Sequence, residues 1–385
     1  MKTYLKHYKA VIETKAPVFI GDGTKIGKKE FIYLGRDKKV LVPDMNKFFE
    51  YLQSENLESS YTRYMLSPGN EDLGRWLLGQ RVDKKEYKKF IKYTLDAGDV
   101  FLDTGGSGKN NYGNSQAKAK EISCFMKDAS GDPYVPGSSI KGMIRTAVLA
   151  HEISSDRELK AEFRKKLTAA LDRGNNKRNY FLKNETQELE ERVFHTVERI
   201  SIPKRNAVCS NMSGLIIGDS DLIDTKSLTL CQKIDYSIEK KERPLPLLRE
   251  ALKPGTKIYF DITIDPGICP YDIDDILAFL DEYQENIYRN FYKTFGRGCA
   301  GSKTVWLGGG CGFPTKTVIA ALFDEETTKV TADIFRTTVR NYYEHKHNLD
   351  ESIYGISPHV CKCTRYNNRL YDMGQCKIEI LEREM

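Results

Sequence analysis

No apolar run in this chain approaches the ~18–20 residues that a helix needs to cross a bilayer. The opening stretch, MKTYLKHYKAVIETKAPVF, alternates its apolar residues and has no hydrophobic block, so it does not read as a secretory signal. CxxC is missing as well. The nine cysteines are odd in number and widely spaced, which argues against a disulfide framework and for buried thiols in a reducing compartment. HExxH, a Ser-His-Asp order and a paired-carboxylate motif are absent, and no short fixed-period repeat is visible. These absences predict a cytoplasmic protein with no membrane contact, no cofactor and no recognisable catalytic constellation.

What is present is a chain of 385 residues, 40% hydrophobic and 30% charged, enough for one large or two medium packed domains. The net charge of +6 and pI near 8.6 lean towards a polyanionic partner. They fall short of the pI above about 9 that argues nucleic acid unaided.

Alternation predicts a strand over Tyr4–Thr14, a hairpin of residues 30–34 and 40–43, and strands at 215–218, 228–237 and 257–265. Asp44 is a helix cap before the stripe Phe48, Phe49, Leu52. Residues 56–100 read as mixed and helical, anchored by Trp76, Leu77 and Leu78. The polar Gly/Asn/Ser stretch at about 103–120 reads as a loop, and 153–200 as a helical insertion. Ile276, Leu280, Tyr283, Ile287 and Phe291 share one face of a long helix over about 273–292. Further strands are expected near 305–307, 369–371 and 377–380, and a helical stretch over 332–343. The interleaving predicts an α+β chain with mainly antiparallel sheets. The expected division is 1–210 and 211–385.

Two glycine motifs carry the chemistry. In the first, Tyr134-Val135-Pro136-Gly137-Ser138-Ser139 runs straight into a helix whose core face is Ile140, Met143, Ile144, Ala147 and Val148. Either serine can cap, and the free amides of that first turn attract an anion. Lys141 and Arg145, four residues apart, are placed to clamp a phosphodiester; an ordinary capped helix with two solvated cations is the plainer alternative. In the second, Gly296-Arg297-Gly298-Cys299-Ala300-Gly301-Ser302-Lys303-Thr304 matches GxGxxG, yet a helix precedes it and a strand follows. That is the reverse of the dinucleotide context, and Ser302 breaks the phosphate-loop pattern. What remains is a side-chain-poor loop with Arg297 and Lys303, open to a phosphate chain, or a tight connection.

Other candidates are weaker. Lys25, Lys28 and Lys29 follow the first glycine turn. His7, Asp22 and Asp219 are single titratable groups at a strand or turn. His345, His347, His359, Cys361 and Cys363 have metal-ligand chemistry, but the CxC spacing fits a strand with both thiols on one face, so no metal is expected.

PGSSIKGMIRTAVL and FGRGCAGSKTVWLG together resemble the helix-start and glycine-rich loop of RAMP-family CRISPR proteins. The opening VFIGDGTKIGKKEFIYLGRDKKVLVPD resembles the start of the group. The tail SPHVCKCTRYNNRLYDMGQCKIEIL resembles that of the fifth-numbered subunit of the type III-A Csm complex. The resemblance implies ferredoxin-like (RRM-like) modules with helical insertions and a non-catalytic role at the 3′ region of the guide RNA (crRNA). It implies as partners the other Csm subunits, above all the repeated backbone subunit, and host nucleases that mature the guide's 3′ end. Gly137, Ser138, Ser139, Lys141, Gly142 and Arg145 would line the RNA path, and Gly296, Arg297, Gly298, Gly301 and Lys303 would form the glycine-rich loop. The alternative is a metal-independent RAMP endoribonuclease, for which His7 is the candidate.

Overall fold

Strand β1 (Lys6–Thr14) buries Tyr8, Ala10 and Ile12 and turns His7 and Lys9 to water, the period-two signature of a sheet with one covered face. The computed structural model describes residues 4–69, 71–100, 121–173, 180–298 and 301–384. In it β1 is the middle of a five-stranded sheet with β7 (Leu215–Ile217), β10 (Lys257–Ile264), β11 (Thr304–Trp306) and β14 (Gln375–Glu384), in the order β11–β14–β1–β10–β7. Every neighbouring pair is antiparallel. Ile12 lies between Ile258 and Ile378 and carries the apolar face across three strands.

Helices α4 (Gly137–Ser155) and α7 (Ile273–Asn290) pack on each other and share one core with this sheet. The chain order β1–α4–β7–β10–α7–β14 is a βαββαβ module of ferredoxin-like type, with β11 pushed to the outer edge. Asp272 starts α7 through a capping box with Asp275. Ile276, Leu280 and Ile287 are buried along its inner stripe.

The second sheet has nine strands. Its path is β2 (Gly21–Gly27), β6 (Glu121–Phe125), β9 (Glu242–Leu252), β8 (Leu228–Ser237), β5 (Ile91–Asp96), β4 (Lys39–Pro43) and β3 (Ile32–Leu34). β12 (Val360–Tyr366) joins β8, and β13 (Arg369–Asp372) joins β12. Its pairs are antiparallel except β5 with β8 and β6 with β9. The fully buried Glu250 ties β5, β6 and β9 together by accepting from the Phe125 amide at 2.8 Å, the Tyr93 hydroxyl and the Lys127 ammonium. These bonds satisfy a carboxylate that would otherwise be costly to bury.

Helices α1 (Met45–Ser54), α2 (Glu58–Leu66) and α3 (Leu73–Gly79) enclose a separate small core around Phe48, Tyr61, Trp76, Leu77 and Phe90. The Asp44 carboxylate caps α1. The insertion is helical, as α5 (Arg157–Arg173) and α6 (Lys183–Phe194), with Phe163, Leu167, Leu189 and Phe194 buried against the main core. α8 (Ile319–Phe323) and α9 (Thr327–Thr338) close the body.

Two expectations need correction: residues 56–100 are not helical throughout, because Ile91–Asp96 forms β5 between β4 and β8, and Leu78 is 71% exposed while Trp76 and Leu77 are buried. Both sheets draw strands from either side of residue 210, so no sheet ends at that division. The loop expected at 103–120 lies outside the described residues.

Candidate nucleic-acid interface

The first motif folds as the start of α4, but neither serine caps it. The cap position is Pro136, which has no capping side chain, and the anion comes from across the fold. Asp219, just after β7, accepts from the Gly137 amide at 2.7 Å. A Cβ at Gly137 would stand 2.2 Å from the Ile217 carbonyl oxygen, so glycine is there to let α4 touch the backbone at the end of β7. Ser139 donates its amide to the Pro136 carbonyl at 2.9 Å.

Arg145 is engaged elsewhere. Its guanidinium donates to Glu190 of α6 at 2.8 Å and lies 4.7 Å from the Phe194 ring centre. Lys141 is half-buried and makes no ion pair among the described residues. Burial, then the neighbouring Arg145 charge, lowers its pKa from the usual lysine value. The motif therefore offers Ser138, Lys141 and Gly142 as its accessible surface, while Gly137 and Arg145 serve packing.

The second motif also divides. Gly296 and Gly298 take positive φ of 63° and 77°, and a Cβ at Gly298 would meet Tyr292 at 2.7 Å. Arg297 Nε donates to Asp372 at 2.6 Å, and the Gly298 amide donates to the other carboxylate oxygen at 3.1 Å. With side chains 16% and 8% exposed, that pair locks the loop to β13 and does not present a free cation. The exposed Lys303 holds φ at 60° and donates its amide to Asp281 of α7.

Around this loop lies an open cleft of about 610 Å³. Lys15, Arg297, Arg369 and Lys377 line it against a single carboxylate, Asp372, with Gly296, Gly298 and Gly301 in its wall and Tyr371 beside them. Lys15 and Lys377 pair with Glu13 and Glu379 at 2.6 and 3.0 Å, with side chains 43% and 41% exposed. Arg369 stacks on Tyr371 at 4.9 Å. Surface cations and an aromatic face in one open cleft match what a single-stranded nucleic acid requires. Lys15, Arg369, Tyr371 and Lys377 escaped the sequence reading because they are scattered over three segments, with Arg369 and Tyr371 together on β13.

The two motifs do not form one cradle. The first abuts β7 and the second leads into β11, at opposite edges of the five-stranded sheet. Four strand spacings of ~4.8 Å correspond to about 19 Å across a flat sheet.

The weaker candidates resolve similarly. Lys29 donates to the Tyr64, Met65 and Ser67 carbonyls and so caps the end of α2. Lys25 pairs with Glu121. Asp22 accepts from the Thr24 amide and hydroxyl at the register shift within β2. His7 stands exposed on the open face of the sheet with Thr263 at 2.9 Å from its Nδ1. Cys361 and Cys363 sit together on the buried face of β12.

Residues 11–313 match the sequence model of the RAMP superfamily. The chain belongs to that superfamily. Among curated RAMP relatives, "CRISPR system Cms protein Csm5" of Mycobacterium tuberculosis (strain ATCC 25618 / H37Rv) is 27% identical over 100% of both chains. The protein of that name from Streptococcus thermophilus is 28% identical over 83% of this chain and 82% of its own. In fold, the chain resembles one in the "Cryo-EM structure of Csm-crRNA-target RNA ternary complex in type III-A CRISPR-Cas system", with a TM-score of 0.60 and 16% identity over 97% of this chain and 100% of that one. It also resembles "Crystal structure of T.onnurineus Csm5", with a TM-score of 0.55 and 18% identity over 95% and 99%. The RAMP architecture of antiparallel sheets in ferredoxin-like modules, with helical insertions, is the α+β fold described above. No helix among the described residues is long and apolar enough to cross a membrane.

Proposed function

We propose that this chain is a non-catalytic subunit of a type III-A CRISPR effector that binds the 3′ region of the crRNA and supports maturation of its 3′ end. The observation that carries this reading is the end-to-end correspondence with the Csm5 relatives, which spans both sheets and the helical insertion. The basic cleft supplies the chemistry. Lys15, Arg369 and Lys377 contact phosphates, and Gly296, Gly298 and Gly301 leave room for the sugar–phosphate chain. Lys303 flanks the loop, and Tyr371 offers a ring to a base. Ser138, Lys141 and Gly142 form a second, separate contact, with Gly137, Ser139, Arg145 and Arg297 as supports. Binding is by phosphate and shape, largely independent of base sequence.

The partners in this reading are the crRNA, the other Csm subunits with the repeated backbone subunit as neighbour, and host nucleases that trim the guide. The test is ultraviolet crosslinking of the purified particle with peptide mapping. Crosslinks are expected on the cleft segments around residues 296–304 and 366–377 and on the start of α4. Recovery of protein–protein crosslinks alone would make the chain a scaffold. Particles assembled without it are expected to carry untrimmed guides, and normal 3′ ends would refute the maturation role.

A further inference from the structure

Beyond α9 the backbone departs twice from regular geometry within a few residues, and both departures serve one side-chain cluster. Lys346 takes a φ of 58°, a region that L side chains avoid. Residues Asp350–Tyr354 wind as a π-turn, a form concentrated at functional sites. Between and beyond them, three titratable residues meet. Asp350 is fully buried, and His347 and His359 are 9% and 8% exposed. Nδ1 of His359 lies 2.6 Å from one Asp350 oxygen, and Nδ1 of His347 lies 3.0 Å from the other. Ser357 donates its hydroxyl to the latter oxygen at 2.7 Å.

Charge sharpens the observation. The Asp350 carboxylate is enclosed by His347, His359 and Ser357. Among the described residues no lysine or arginine pairs with it. A fully buried carboxylate faced by two imidazoles forms an oxygen and nitrogen donor set that a bound cation can compensate.

The geometry suits a metal ion. One ligand atom from each of the three residues falls within a group no more than 4.8 Å across. The two imidazole centroids are 5.0 Å apart, and two imidazoles sharing a tetrahedral ion at ~2.0–2.1 Å per bond have centroids about 5 Å apart. We propose that His347, His359 and Asp350 hold one zinc-class divalent ion. Each ring presents its Nδ1 lone pair to the ion and carries its proton on Nε2. Ser357 keeps its bond to the carboxylate and orients it from outside. The exposed His345, whose centroid is 6.3 Å from that of His347, swings in as the fourth ligand. The ion fixes the segment that feeds β12, and its presence is independent of the RNA reading.

The test uses the full chain, stripped by dialysis against a chelator and then titrated with Zn²⁺ or Co²⁺. One equivalent of Zn²⁺ is expected to bind and to raise the melting temperature. Co²⁺ is expected to give the visible d–d bands of a tetrahedral nitrogen/oxygen site. His359→Ala is expected to lose both signals, and Ser357→Ala to weaken binding about tenfold. Because His359→Ala endangers folding, the parent chain provides the decisive arm. If the folded parent takes up no Zn²⁺ and gives no Co²⁺ bands, the cluster is a hydrogen-bonded hub and the proposal is overturned. Full Zn²⁺ binding by a folded His347→Ala/His359→Ala variant overturns it equally.

Discussion

Neutralising the cleft cations Lys15, Arg369 and Lys377 together is the sharpest probe of the RNA reading. Lys15 and Lys377 are held by surface ion pairs to Glu13 and Glu379, worth about 0–1 kcal/mol each. The triple change to glutamine should therefore leave the fold intact. For single-stranded nucleic acid the slope of log K against log salt is about −0.7 per phosphate neutralised. Three contacts give a slope of about −2.1, so a fourfold rise in salt weakens the parent about 18-fold through these residues alone. The assay is fluorescence anisotropy with an end-labelled single-stranded guide at two salt concentrations a factor of four apart. The variant should bind more weakly at low salt, and its salt slope should be shallower by about 2. Identical slopes with an unchanged melting curve would show that phosphates do not occupy this cleft.

The remaining predictions concern stability and reactivity. Arg297→Met strands the buried Asp372 carboxylate and should lower urea stability by about 3–5 kcal/mol; a loss confined to RNA binding would show that Arg297 is a ligand after all. Gly137→Ala drives a Cβ into the Ile217 carbonyl and should destabilise by about 1–3 kcal/mol. Gly142→Ala, with nothing within 4 Å of the new atom, should stabilise α4 by about 0.8–1.0 kcal/mol. Equal effects at the two glycines would refute the packing account. Cys124, Cys209, Cys231, Cys269, Cys311, Cys361, Cys363 and Cys376 are buried, and burial pushes the Cys231 and Cys311 thiols up to about 12 and about 11. A thiol reagent at pH 8 should label these eight only after denaturation, and rapid labelling of any of them in the native chain would contradict their burial.

Period and capping made some elements legible. Ile276, Leu280 and Ile287 of the α7 stripe are buried as read, with Tyr283 half-buried and Phe291 just past the helix, the cap Asp44 behaves as read, and β1 and β10 largely follow their alternation. Strand β9 escaped because Pro244 and Pro246 sit inside it and proline ordinarily argues against a strand. Strand β2 read as a turn because three of its seven residues are glycine. Phe49 belongs to the α1 stripe by spacing yet is 48% exposed, since a stripe marks a direction and not how far the neighbouring layer reaches. The two glycine motifs were visible as motifs, but their separation depends on which strands lie between them. That order is a long-range property, and no local pattern encodes it. Asp219 replacing the expected serine caps and Asp372 capturing Arg297 belong to the same class.

The position of β14 has a consequence for how the molecule is made. Residues 375–384 fill the slot beside β1, so Thr14 finds its partner Cys376 only after nearly all the intervening chain exists. Until then one side of the first strand offers unpaired amides and carbonyls during synthesis, an invitation to aberrant strand addition. Closing so long a loop also makes the final pairing a late folding step. Shortened products lacking the last strand should thus accumulate as aggregates or chaperone clients and not as soluble, partly active protein.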